Sequence, residues 1–298
     1  MNKIDRKQLK EWAKNAVSKN YWKSVAATLI FSGVTFFFTY FLVYGLVLGV
    51  AYIPVYGIVF LASFIEGSGV DETAMLSMLI MVVVFGVMGL VFTAVGGGGK
   101  VFLANPLELG SKKYLLESLY RDETKFSEVG AGFNNSYKNI VKVLCVRDVY
   151  LILWSTLSTI IYLIFGMGVM FGGPILFALL EYKIPEALMG VLIIVWILLI
   201  YVVYFASFIP LYIKSLQYLF VPYILAENPD MPRKQAITLA KQMMCGNKKS
   251  VFVMHLSFLG WLILSGFTCG ILHVCYVGPY MQYTTAAYYK ALKQKMGI

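Results

Sequence analysis

The residues of this chain best suited to chemistry are few and scattered. Glu227 and Asn228 stand before Pro229, with Lys241 and Tyr280 further on. A carboxylate, an amine and a phenol would serve as the acid and base groups of a lipid-modifying enzyme, provided the fold gathered them. Glu-Asn-Pro is also the composition of a solvated turn that ends one helix and starts the next, and this is the simpler account. His255 and His273 are the only histidines. A histidine among apolar residues can relay protons or hydrogen-bond to a neighbouring helix. With no carboxylate in the same apolar runs, the packing role is favoured.

Cys145, Cys245, Cys269 and Cys275 form no CxxC pair and have no histidine at ligand spacing, so neither a metal nor another cofactor is expected. Cys269 and Cys275 could pair as a disulfide, with two buried thiols as the favoured alternative. The GGGGK run at Gly96–Lys100 lacks the G-x-x-x-x-G-K-[ST] spacing of a phosphate loop, and its glycines suit the end of a helix. No catalytic set stands out, and the expectation is a protein that is not an enzyme.

What must position these residues is a membrane. Hydrophobic residues make up 59% of the chain and charged residues 13%, against roughly 25% charged in soluble domains. Runs free of Asp, Glu, Lys and Arg cover Ser24–Ile65, Ala74–Gly99, Val149–Leu180, Ala187–Ile213 and Ser250–Tyr289. Each exceeds the ~20 residues that cross a bilayer core of ~30 Å. The basic leader is too long for a signal peptide and no small-residue cleavage site follows it, so the first run reads as an uncleaved anchor. The net charge of +10 points to no nucleic acid, because cytosolic loops of membrane proteins gather Lys and Arg.

Those charges also set a topology. Every Lys and Arg except Lys183 fits on one side of the membrane, while Glu66, Asp71, Glu72, Glu181 and Glu186 fall on the other. Were Ser24–Ile65 to cross twice, every later basic loop would face outward, against the positive-inside rule. One long helix from about Ser24 to Val50, then a stretch containing Pro54, is therefore expected. Gly172, Gly173 and Pro174 would break span three, and Gly266–Gly270 would turn the last hairpin. The whole chain, 1–298, reads as a single integral membrane domain. Its parts are a cytosolic amphipathic helix at 1–23, spans one and two in 24–99, a cytosolic loop with helices at 100–148, spans three and four in 149–213, a cytosolic segment at 214–249, spans five and six in 250–289 and a cytosolic tail at 290–298. The fold class is an all-α polytopic membrane protein of about six transmembrane helices, with N and C termini cytosolic and cytosolic amphipathic interfacial helices. Tyr21, Trp22, Tyr150 and Trp154 fall where an interfacial aromatic belt belongs.

A local repeat precedes two outward-going spans. AKNAVSKNYWKSV (Ala13–Val25) and AKQMMCGNKKSV (Ala240–Val251) share Ala-Lys, then Asn, then Lys-Ser-Val before an apolar run, and GFNNSYKNIVKV (Gly132–Val143) is a weaker relative. Each predicts a short amphipathic helix, a turn at Asn20 or Gly246-Asn247, then a span. Asp5 can cap the first helix, whose Leu9, Trp12, Ala13 and Ala16 share one face. Asp230 and Pro232 suit the start of the late helix, Ile237, Ala240, Met243 and Met244 form its apolar face, and Gly246 stops it.

The segment PYILAENPDMPRKQAITLAKQMMCGNKKSVFVMHLSFLGW (Pro222–Trp261), with GPYMQYTTAAYYKAL (Gly278–Leu292) and the opening RKQLKEWAKNAVSKNYWKSV, resembles the bacterial domain-of-unknown-function 975 family. The resemblance spans nearly the whole chain through its AENP, GNKKSVF, SFLGW and PY elements. It implies a multi-pass plasma-membrane protein, mostly of Gram-positive bacteria, with no assigned activity. The family is also distantly similar to the membrane module of some glycerophosphodiester phosphodiesterases. His255 departs from the Phe or Leu that many relatives carry there, so the resemblance implies no polar role for it.

The expected function is that of a non-enzymatic accessory membrane protein whose basic helices engage lipid or a partner at the cytosolic face. Its partners would be membrane lipids, through their anionic headgroups, with a protein partner or a homo-oligomer as further possibilities. Lys14, Lys23, Glu227, Asn228, Lys241, Lys248, Lys249 and Tyr280 are the candidate binding residues. Gly246, Pro229, Gly260, Trp261 and Pro279 are candidate turn or packing residues. A transporter or exporter component for an amphipathic peptide or lipid is the alternative, weakened by the lack of ionisable residues at the midplane. A lipid-modifying enzyme built on Glu227, Lys241 and Tyr280 is the second alternative.

Overall fold

The amphipathic and apolar periodicities become helices throughout. A computed structural model describes residues 6–49, 57–59, 61, 62, 65, 72–121, 123–180 and 185–297. Among the described residues 89% are helical and none is in a strand. Asp5, Pro54, Glu66, Asp71, Glu181 and Lys183 lie outside the described residues. The helices are α1 Arg6–Lys19, α2 Tyr21–Val47, α3 Glu72–Gly99, α4 Asn105–Ser118, α5 Tyr137–Leu180, α6 Glu186–Ser207, α7 Ile209–Tyr218, α8 Val221–Glu227, α9 Arg233–Met244, α10 Lys248–Leu256, α11 Leu259–Phe267 and α12 Gly278–Met296. Wider π-type turns precede α4 (Lys100–Ala104) and α12 (His273–Val277), and a 3-10 helix covers Phe126–Phe133.

Among the described residues five helical stretches are long and apolar enough to cross a membrane: Tyr21–Val47, Met75–Ser118, Tyr137–Leu179, Leu188–Glu227 and Lys248–Phe267. The sixth arm expected from the sequence is not among them. Its residues enter α12, which carries Gln282, Thr284 and Thr285 and buries ten residues, from Gly278 and Pro279 through Tyr283–Tyr289 to Leu292. No residue of α12 from Gly278 to Lys293 is fully exposed. No more than 22% of any of the five spanning windows is buried, so their apolar faces are open.

The described chain forms two compact units. In the first, residues 1–144, 222–231 and 257–298, α1 lays Leu9, Ala13, Ala16 and Val17 against α12. Their spacing of four, three and one places them on one helical face. The expected turn at Asn20 is present, and α2 follows at once, with the Ser24 hydroxyl donating to the Asn20 carbonyl at 2.7 Å. Helices α2 and α3 pack closely because Gly96 lets the Leu42 backbone approach. This corrects the reading of Gly96–Gly99 as a helix end: α3 runs through them, and the helix continues to Ser118. Pro106 lacks the N–H that the Phe102 carbonyl would accept in a regular helix. The Tyr137 hydroxyl supplies that donor at 2.9 Å, so the ladder passes through a π-type turn without a break.

Around α4 the packing is tightest. Ala27, Tyr114 and Val129 form a buried cluster with Leu107 against it. A Cβ on Gly110 would overlap the Val129 carbonyl, and one on Gly132 the Pro106 carbonyl. The weakest repeat copy begins in the last two residues of the 3-10 segment, Gly132 and Phe133, and runs through 134–136 into α5.

The second unit, residues 145–221 and 232–256, contains the rest of α5 with α6, α7, α9 and α10. Here Gly172, Gly173 and Pro174 do not break the span, contrary to expectation. Pro174 sits inside the continuous α5, and Gly173 gives room to the Trp196 indole of α6. Burial of Ala236, Ile237, Ala240, Met243 and Met244 seats α9, which packs on α7. The expected stop at Gly246 is present with φ +74°. All four cysteines are free, and Cys269 is exposed at φ +50°, so the expected pair of buried thiols is not formed.

Gly110→Ala will lower the thermal unfolding midpoint in detergent by several degrees, since overpacking costs about 1–3 kcal/mol. Gly260→Ala, where a Cβ meets open space, will leave it unchanged or raise it slightly.

Candidate functional site

The candidate residues divide into groups that the protein itself engages and groups that it leaves available. Glu227 ends α8 half-buried. Its carboxylate accepts from the Tyr289 hydroxyl at 2.8 Å, the Lys290 ammonium at 2.5 Å and the Lys293 ammonium at 2.6 Å. Positions 289, 290 and 293 share one end of α12, so a single carboxylate fastens three side chains within about one turn of it. Charge-assisted bonds of this kind are about twice as strong as neutral ones. Lys290 also lies 5.3 Å from the centre of the Tyr120 ring, which meets Trp12 edge-on at 5.4 Å. Burial, then the Glu227 charge, raises the Tyr120 hydroxyl above the usual phenol range, with Lys293 opposing.

Sequence reasoning took Glu227 for a solvated turn residue and missed these partners. The available signal was the i, i+3 pair Lys290 and Lys293 in the tail. The turn itself is present: α8 ends at Glu227, Asn228 is exposed, and the Pro229 carbonyl accepts from the Asn139 amide at 2.7 Å.

Tyr280, half-buried on α12, meets Phe258 edge-on at 5.1 Å and Tyr276 at 5.8 Å. Trp261 joins the same stack through Tyr276 at 5.7 Å, while Gly260 is exposed and Pro279 is buried in the first turn of α12. Two serines flank the Tyr283 hydroxyl, Ser24 at 2.8 Å and Ser118 at 2.6 Å, in a buried network joining α2, α4 and α12 that the sequence did not suggest. Lys14 and Lys23 are exposed on α1 and α2. Lys10 of α1 lies 4.6 Å over the Phe258 ring, and burial, helped by the Arg6 charge, lowers its ammonium below the usual lysine range.

In the second unit Lys241 is engaged too. Its ammonium lies 5.8 Å and 5.3 Å from the ring centres of Tyr150 and Tyr218, which stack at 5.8 Å with 7° between planes. Lys214 lies 4.3 Å over Trp154 in the same manner. Two expected belt aromatics therefore carry cations on their faces, as the ring quadrupole favours. The Tyr212 hydroxyl and His255 Nδ1 are 3.3 Å apart, linking α7 and α10, which is the packing role expected of that histidine.

Lys248, half-buried, and Lys249, exposed, begin α10 and have no ion pair among the described residues. They border an apolar cleft of about 610 Å³ whose walls are Phe205, Phe208, Ile209, Tyr212, Ile213, Leu216 and Phe252. Beside the cleft α6 stops at Ser207 and α7 resumes with Pro210 in its first turn, a break that proline favours. The lysines were legible in the sequence, whereas the aromatic and aliphatic walls read only as span. A second cavity of about 430 Å³ lies in the first unit, lined by Leu109, Lys113, Ala131, Asn134, Asn135, Ser136, Ile140 and Pro229. Lys113 is paired there with Glu128 at 2.8 Å, and Ser136 donates to Asp230 at 2.7 Å.

Glu227→Gln will speed tryptic cleavage after Lys290 and Lys293 several-fold, because charged hydrogen bonds worth roughly 1.5–3 kcal/mol each are weakened. Lys241→Gln will lower the thermal midpoint slightly, in line with about 0.5–1 kcal/mol for an exposed cation–π contact, and will leave lipid retention unchanged in native mass spectra.

Comparison with known proteins places the geometry in context. No curated protein and no solved structure shows a significant match to the chain. One family profile, described as Protein of unknown function (DUF975), matches residues 1–296. With that match covering almost its full length, the chain belongs to the DUF975 family of proteins of unknown function.

Proposed function

We propose that this protein is a non-enzymatic, multi-pass protein of the bacterial plasma membrane, an accessory that engages lipid or a partner at its cytosolic face. The observation that carries the reading is the unequal state of its candidate groups. Glu227 is held by Tyr289, Lys290 and Lys293, Lys241 lies against the Tyr150 and Tyr218 rings, and the Tyr280 ring packs on Phe258 and Tyr276. Lys248 and Lys249, with no ion pair among the described residues, stand at the start of a membrane-crossing stretch. Cations at such a position meet anionic headgroups at about 1 kcal/mol per residue.

Both termini on the cytosolic face is part of the same reading. Its supports are the placement of every basic residue but Lys183 and the packing of α1 on α12, which brings the first and last helices together within one unit. In this topology α12 returns through protein rather than lipid. Because α1 and α9 cover their apolar faces with other helices, only their basic faces are offered to the membrane surface.

Native mass spectrometry of the protein extracted from its own membrane tests the reading. Anionic lipid will remain bound to the unaltered chain, and Lys248→Gln with Lys249→Gln will reduce its retention about tenfold or more. Equal retention by both forms would remove the reading. Flux of an amphipathic cargo in proteoliposomes would favour the transport alternative instead.

A further inference from the structure

We infer that the α6–α7–α10 cleft is a binding site for one anionic diacyl phospholipid of the leaflet at that face, seating an acyl chain between α7 and α10 and its phosphate at Lys248 and Lys249. The inference rests on the lipid-engaging reading above and gives it a place and a ligand class. Its volume, about 610 Å³, falls within the roughly 300–1,000 Å³ typical of small-molecule sites. The walls suit hydrocarbon: Phe205, Phe208, Ile209, Ile213, Leu216 and Phe252 offer no polar atom from their side chains. The one polar side chain in the wall, Tyr212, has its hydroxyl 3.3 Å from His255 Nδ1.

Charge complementarity selects the occupant. Both lysines lie at the α10 end of the cleft, no acidic residue lines it, and neither lysine has an ion pair among the described residues. A zwitterionic lipid would satisfy the walls but bring its own cation toward two ammonium groups. A soluble anion would satisfy the lysines but leave the walls open. An amphiphile with apolar chains and net negative charge satisfies both. The first backbone N–H groups of α10 share the lysine end, and their partial positive charge has the same sign preference.

The test uses the full chain in nanodiscs with phosphatidylglycerol carrying a photoreactive diazirine near the end of one acyl chain, followed by peptide mapping. Cross-links are expected to concentrate on 205–216 and on Phe252, and to fall about tenfold when phosphatidylcholine carries the same probe. Cross-links spread evenly over the five spans would overturn the inference. Variants then separate it from the broader reading. Ile209→Trp and Ile213→Trp, which fill the cleft, will abolish the concentrated cross-links while the lysines keep their preference for anionic lipid. Lys248→Arg with Lys249→Arg will preserve both, and the glutamine pair will lose the headgroup preference. If the tryptophan variants keep the mapped cross-links, the cleft is wrong and the reading stands. If the glutamine pair keeps its preference for anionic lipid, the reading itself fails. A dimer in native mass spectra that the tryptophan variants dissociate would make the cleft an interface between copies and overturn the lipid assignment.

Discussion

The first unit depends on finding partners for a helix that lipid could not solvate. α12 carries Gln282, Thr284, Thr285 and Lys290 between its apolar residues, and a bare polar group in hydrocarbon costs several kcal/mol. The protein supplies those partners. Gln282 accepts from Lys112 at 2.9 Å, the threonine hydroxyls donate to carbonyls four residues back, and Lys290 meets Glu227. Helices α1, α2 and α4 pack around α12, and that packing builds the buried core. A tyrosine-rich interior follows, with Tyr114, Tyr223, Tyr283, Tyr288 and Tyr289 all below 2% relative exposure or close to it. Tyrosine suits a core at a membrane edge, being large and apolar with one polar atom to place.

The second unit works by the opposite rule. Its helices keep their apolar faces open. Lysines there rest on aromatic rings at Tyr150, Tyr218 and Trp154 instead of pairing with carboxylates. A ring face attracts a cation without demanding a second charge, so the basic character of this region survives the packing that orders it. Lys248 and Lys249 remain after those contacts are made, and they border the cleft.

Features set by local chemistry were legible in the sequence. The ends of α1 and α2 around Asn20, the stop at Gly246, the start of α9 after Pro232 and the turn after Glu227 depend on residues within a few positions. Lys248 and Lys249 were legible as candidates because charge stands out beside an apolar run. Glycine was misread where its meaning lies in a neighbour: Gly96 and Gly173 look like helix breakers, but Leu42 and Trp196 make them points of close approach. Glu227 was read as turn chemistry because its partners lie more than sixty residues away on α12. The count of spans differed over the last arm for the same reason, since a polar helix becomes tolerable at membrane depth only when other segments cover it.

The unbroken helix from Met75 to Ser118 has a mechanical meaning. At 1.5 Å per residue its contour is roughly 65 Å, about twice the hydrocarbon thickness. The hydrogen bond from Tyr137 to Phe102 closes the one gap where Pro106 would have made a joint. A change in bilayer thickness alters the tilt of a span. Here the spanning stretch runs on helically into Tyr114 and Ser118 of the core, so a change of tilt in its outer turns is passed to the residues packed around them, making the membrane's own dimensions an input to that packing.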